Sequence, residues 1–376
     1  MRHIALTCGL AAIAATAHAQ NIGIKLTHGV DGYVEVPAAP ALIPYGGVTL
    51  EAWITYDDAT LQSGWSFPTV ARQNLAAQSE TFFLRVEAGQ TSARVLRWKV
   101  VTSNGGQPAA AYTFTPGQLL TWTHVAGTYD GQTARLFVNG VEVASTPGTG
   151  PLRNQGGTLR IGKGDDATSN NEVWNGEIDE VRLWPYARTA AEILATMNVE
   201  LVGIPGKVST WNLTGFSLDT SGGLHGTVNG TVTYQPNSLM LRLPTSSGIT
   251  AFGGGTNGCR GEVGSTVTSL PFVGNGAFGV AGTLGPLNGG GALLLATGQL
   301  ASALPFLGVD FWIDPARYVL AINATTNALG TSRVTLPIAN DPTLTGLRID
   351  TQYLWLDACG SQGLTASKGT QFTVVQ

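Results

Sequence analysis

Charge is scarce in this sequence. Only 12% of its 376 residues are Asp, Glu, Lys or Arg, about half of the usual ~25%. The net charge of −4 leaves no basic footprint for nucleic acid or an anionic membrane. No apolar run after the first twenty residues is long enough to span a bilayer. No second His or Cys stands at ligand spacing from His124, so zinc is not expected there. A Gly-x-Ser-x-Gly elbow is missing, so a Ser-His-Asp hydrolase is not indicated. Gly253–Gly255 and Gly289–Gly291 do not open a helix after a strand, so they do not read as phosphate cradles.

Glycine is abundant, at 50 residues. Val, Leu, Ile and Trp are spaced between the glycines, so this composition means tight turns rather than disorder. The chain opens with Arg2, an apolar stretch from Ile4 to Ala17 and an Ala17-His18-Ala19 cleavage site. Residues 1–19 therefore read as a signal peptide, and the product is expected to be secreted, cell-surface or periplasmic. Cys259 and Cys359 then remain. In an oxidising compartment they are expected to form a disulfide, the other reading being two free buried thiols.

Short strands follow one another. Val48–Tyr56, Thr81–Glu87, Val95–Val101 and Trp122–Tyr129 carry apolar or alternating patterns. Thr133–Val138 and Val141–Ser145 flank Asn139-Gly140, a strong hairpin signal because both turn residues need positive φ. Thr158–Gly162 and Glu177–Trp184 complete the series. Only Thr189–Met197 has helical character, with a Thr cap and a Glu three residues on. Strands at this spacing without helical crossovers predict an all-β antiparallel sandwich or jelly roll. The run Gly226–Tyr234 reads as late strands of the same unit. Residues 240–376 are richer in Gly, Leu, Ala and Pro and nearly uncharged. They predict a second, smaller β-sandwich, giving expected units of 20–236 and 240–376.

Four ordered blocks carry a family resemblance. They are Asp31–Pro37 with Val48–Ile54, Trp122–Gly131, Arg135–Gly140, and Gly176–Trp184 followed by Arg188 and Ile193. Together they resemble a LamG-like jelly roll of the concanavalin A-like lectin/glucanase type. The resemblance implies two curved sheets, a glycan or extracellular protein as partner, and often a calcium ion. More weakly, Gly258-Cys259, Asp314-Pro315 and Thr351–Asp357 resemble a small secreted bacterial β domain with no assigned chemistry.

Glu177-Ile178-Asp179-Glu180 resembles the glucanase motif of this fold class, Glu-x-Asp-x-Glu or its bulged form with one more residue, which sets the second glutamate two or three residues after the aspartate. Here Val181 and Arg182 stand where the second glutamate would be, so no catalytic residue is assigned. Asp179 shares strand parity with Val181 and Leu183, which should point inward. A buried carboxylate needs a partner: calcium, Arg182 or Arg160. A β-bulge that turns it outward is the other reading. The resemblance makes Asp179, with Asp31 and Gly32, the candidate metal site. Asp165, Asp166 and Asn170 in an oxygen-rich loop are candidate ligand contacts. Trp174 and Trp98 are candidate stacking platforms, as is Trp65, while Arg97 and Lys99 flank Trp98. The expected function is a non-enzymatic binding module, with a purely structural role and a divergent glycosidase as alternatives.

Overall fold

The computed structural model describes residues 21–376 except 43–46, 58–66, 75–78, 89–93, 154–155, 166–169, 202–203, 205–208, 212, 214–222, 240 and 242–247. The expected signal peptide, Asp166 and Trp65 lie outside the described residues. The first half contains β1 (Ile22–Leu26), β2 (Gly32–Val36), β3 (Val48–Ile54), β4 (Thr69–Asn74), β5 (Glu80–Ala88), β6 (Arg94–Val100), β7 (Ala109–Phe114) and β8 (Thr123–Tyr129). It continues with β9 (Thr133–Val138), β10 (Val141–Pro147), β11 (Thr158–Ile161), β12 (Gly176–Trp184), the helix α1 (Ala190–Thr196), β13 (Ser209–Trp211), β14 (Thr227–Gly230) and β15 (Thr233–Pro236).

Two antiparallel sheets result. One has eight strands in the order β10-β9-β8-β3-β12-β1-β15, with β13 beside β12; the other has seven, β14-β2-β11-β4-β5-β6-β7. Between them lies a core that includes Leu50, Ile54, Phe82, Leu84, Trp98, Leu136, Leu159, Ile178 and Val181. Each such side chain contributes roughly 1.5–3 kcal/mol on burial. The β9–β10 turn takes the expected form, with Asn139 at φ 49° and Gly140 at φ 77°. Thr189 and Glu192 form a reciprocal capping box at the start of α1. The two late strands part company: β14 joins β2 in one sheet and β15 joins β1 in the other.

Among the described residues, the next strand after Pro236 begins at Ile249. From there the chain forms sheets of its own, the largest with six strands built around Gly290–Ala296, Tyr318–Thr325 and Arg348–Leu356. Arg348–Leu356 is one continuous strand of nine residues. A core of Trp184, Tyr186, Leu201 and Ile204 with Ile249, Leu270, Phe278 and Phe372 joins the two halves. Cys259 and Cys359 form a disulfide, with Cα atoms 4.9 Å apart.

Candidate functional site

The outer faces of the two sheets of the first half differ. In a strand, successive side chains point to opposite faces, so a strand covered on one side alternates in burial. All seven residues of β3 and all seven of β8 are buried. The centre of the eight-stranded sheet is therefore covered on both sides. α1, the segment after it and the second half supply the cover. Trp53 Nε1 donates to Met197 O at 2.6 Å, Arg182 Nη2 donates to Val199 O at 2.6 Å, and Arg188 Nη2 donates to Thr268 O at 3.1 Å. By contrast β6 alternates strictly, with Arg94, Leu96, Trp98 and Val100 buried and Val95, Arg97 and Lys99 half-buried. β2 and β11 alternate likewise. The outer face of the seven-stranded sheet is therefore partly exposed along β2, β6 and β11, while Thr69–Gln73 of β4 and Thr81–Leu84 of β5 are buried.

That open face carries a ladder of paired charges laid on aromatic rings. Lys163 meets Asp31 at 2.6 Å and Arg160 meets Glu35 at 2.7 Å, with both cations near the Tyr33 ring. Arg72 bonds Glu80 at 3.0 Å and Asp165 at 3.4 Å, and Lys99 meets the other Glu80 oxygen at 2.8 Å. Arg85 and Arg97 share Glu87, each at 2.8 Å. The Arg85 guanidinium lies 4.1 Å from the Phe83 ring centre and 4.5 Å from that of Phe67. Burial pushes the Asp165 carboxyl up, and Arg72 and Arg160 draw it back only in part. Partly exposed pairs of this kind are each worth only about 0–1 kcal/mol. What the ladder offers is a surface of oriented donors, acceptors and ring faces.

Of the residues predicted from sequence, this face gathers Asp31, Asp165 and Asn170. Asn170 accepts from Lys163 Nζ at 3.2 Å and donates to Gly29 O at 3.3 Å. Trp98 and Trp174 are corrections: both are fully buried and neither is a platform. Trp98 donates Nε1–H to Thr128 O at 3.0 Å and its ring covers Gly127, where a Cβ would fall inside the indole. Trp174 donates to Thr55 O at 2.9 Å and packs edge-on against Tyr56. Sequence reasoning missed Tyr33, Arg72, Phe83, Arg85 and Arg160; Tyr33, Arg85 and Arg160 stand at half-buried positions of β2, β5 and β11, whereas Arg72 and Phe83 are buried.

The residues proposed for a metal stand apart. Asp31 holds Lys163, and Gly32 lies in β2 opposite Gly230. Asp179 lies in β12, where the register against β3 shifts between Asp179 and Arg182 and Glu180 takes φ 50°. This bulge places Asp179 opposite Trp53, on the outer side of the sheet, instead of inward with Val181. Its partners are neither Arg182 nor Arg160. Asn21 Nδ2 donates to it at 2.6 Å, Asn237 Nδ2 at 2.9 Å, and the Glu180 N–H at 2.7 Å. Asn237 Oδ1 accepts from Leu239 N at 2.9 Å, which fixes its amide with the NH₂ toward Asp179. Calcium needs six to eight oxygens. N–H donors around Asp179 and an ammonium on Asp31 do not fit that ion.

The glucanase-like motif does not present two carboxylates to a groove either. Glu180 is 1% exposed and bonds Arg182 at 2.7 Å. Behind it, Glu51 sits between Arg188 at 2.7 Å and Arg182 at 3.7 Å, and accepts from Trp184 Nε1 at 2.8 Å. Burial raises the Glu51 pKa, but the two arginines outweigh it and hold it below the usual carboxylate range. Burial, helped by those same arginines, pushes the adjacent His124 down to about 3 despite Glu51. His124 is thus neutral and belongs to this packed cluster.

Residues 28–194 match the family model described as the concanavalin A-like lectin/glucanases superfamily. Pappalysin-1 from Mus musculus is 32% identical over 97 residues, which cover 24% of this chain and 6% of that protein. The chain thus spans only a small part of that relative. A heptameric SAP-like pentraxin from Limulus polyphemus superposes with a TM-score of 0.41 at 14% identity, over 58% of this chain and 97% of that one. A Bacteroides ovatus protein named for carbohydrate binding gives a TM-score of 0.44 at 21% identity, over 59% of this chain and 62% of that one. The segment 28–194, with its paired antiparallel sheets, is thus similar to the concanavalin A-like lectin/glucanases superfamily.

Proposed function

We propose that the first sandwich is a non-catalytic binding module for a glycan or an extracellular protein, and that its ligand lies on the outer face of the seven-stranded sheet. One observation carries this reading: the burial of β2, β6 and β11 alternates whereas that of β3 and β8 does not, so part of the outer face of the seven-stranded sheet is exposed while the centre of the other sheet is covered. The open face offers arginines over aromatic rings beside carboxylates. Such planar, fixed groups recognise sugar hydroxyls and polar peptide groups with little ordering cost. A glycosidase would need a carboxylate pair about 5 to 9.5 Å apart across the sugar. Glu180 is already spent on Arg182. The disulfide fits an exported protein, and no helix among the described residues is long and apolar enough to cross a membrane.

A glycan array run with and without chelator tests the reading. Binding to at least one glycan class, unchanged by chelator and lost in Tyr33→Ala, is the expected result. Release of reducing sugar from β-glucans would refute the non-catalytic assignment. A silent array together with capture of a defined surface protein would move the ligand to the protein class.

A further inference from the structure

A cleft of about 380 Å³ opens between the two halves, within the ~300–1,000 Å³ common for small-ligand sites. Three parts of the chain wall it. Asp130, Arg135 and Glu142 come from the first sandwich, Tyr186 from the connection after β12, and Asn327 and Arg333 from the second half. Arg135 holds Asp130 at 2.6 Å and lies 3.7 Å from Glu142, yet its side chain remains 32% exposed. Arg333 bridges the junction. Its Nε meets Glu192 at 2.8 Å and its Nη2 donates to Ala187 O at 2.6 Å, with 30% of the side chain exposed. A guanidinium has five N–H donors, so both arginines keep donors for another molecule. Tyr186 is 1% exposed, and its Oη has no hydrogen-bond partner among the described residues. A buried polar group left in that state costs about 1–3 kcal/mol, which a polar ligand seated in the cleft would offset.

The mixture of groups selects the ligand chemistry. Arg135 and Arg333 are already matched by Asp130, Glu142 and Glu192, so no surplus positive field awaits a phosphate or carboxylate. Donors and acceptors stand side by side. That pattern suits hydroxyl groups, which donate and accept at once. We propose that this cleft is a second binding site, distinct from the open sheet face, which takes a neutral sugar unit and is complete only when the two halves are docked.

The test is an NMR titration of the full chain with glucose, galactose, mannose and N-acetylglucosamine, with glucuronate as the anionic counterpart. At least one neutral sugar should bind with a millimolar Kd. Glu142→Ala, Arg333→Met and Tyr186→Phe should each weaken it about tenfold, as expected for one lost hydrogen bond to a charged or buried group. Tyr33→Ala should leave it unchanged. Thermal melts of each variant establish that it is folded. The proposal fails if no neutral sugar binds, if glucuronate binds more tightly than all of them, or if the folded cleft variants bind like wild type. Sugar binding lost in Tyr33→Ala alone would also overturn it, while leaving the open-face reading intact.

Discussion

Glu51 and Arg188 meet at 2.7 Å with both side chains sealed from solvent, on the sheet face that α1 covers. Such a pair is costly to break and cheap to replace. Leaving one partner as an uncompensated buried charge costs about 3–5 kcal/mol, whereas apolar residues of similar size on both sides are tolerated. Glu51→Ala should therefore lower stability by about 3–5 kcal/mol in urea unfolding, and Glu51→Leu combined with Arg188→Met should lose much less than the two single changes summed. Additive losses would mean that the two charges are not coupled.

Asp179 gives a pH dependence. Burial first, and then the charge of Glu180, raise its folded pKa well above the ordinary value, while the Asn237 amide, the Glu180 N–H and the Asn21 amide oppose this. The folded state therefore holds this proton more tightly than the unfolded chain, whose carboxyl titrates near pH ~4. The group's contribution to stability is complete below that pH and is lost as pH rises through the folded pKa. Asp179→Asn lacks this titration. Its stability relative to wild type should improve as pH rises from ~4 toward neutral, measured by urea unfolding at each pH. A constant difference would show that Asp179 is ionised throughout.

Gly127 lies in β8 beneath the Trp98 ring. Gly127→Ala should cost about 1–3 kcal/mol by overpacking and shift tryptophan fluorescence, read by thermal melts and emission spectra. An unchanged melting temperature would mean that the indole has room to move.

The Cys259–Cys359 bridge closes a separation of 100 residues. In the chain-entropy model, a loop of that length contributes about 4.7 kcal/mol. Reduction, or Cys259→Ala with Cys359→Ala, should sharply lower the melting temperature of the second half. Because a shared core joins it to the first sandwich, both should lose cooperativity. Calorimetry of oxidised and reduced protein checks this.

Much of the fold was legible because it is written locally. The alternation in β5 and β6, the Asn139-Gly140 turn and the Thr189–Glu192 capping box each sit within a few residues of sequence. The site was less so. Trp98 reads as core or platform until Gly127, in a strand well separated in sequence, is seen to make room for it; a glycine within a strand was the available signal. Strand parity alone points Asp179 inward; the bulge held as the other reading is the one found, because Glu180, in left-handed conformation, reverses the parity before it. Its partners Asn21 and Asn237 come from distant parts of the chain. The ladder on the open face is likewise assembled across strands, from Lys163 to Asp31 and Arg72 to Asp165, so no single segment announces it.

The central claim is that ligand binds the exposed side of the seven-stranded sheet, and substitutions on its two ends test it most directly. Tyr33→Ala and Arg97→Ala, each confirmed folded by its melt, should weaken glycan or protein binding at least about tenfold, one to two kcal/mol being the usual worth of such a contact. Leu120→Ala, an exposed position off that sheet, should not. Wild-type affinity in both face variants would contradict the account.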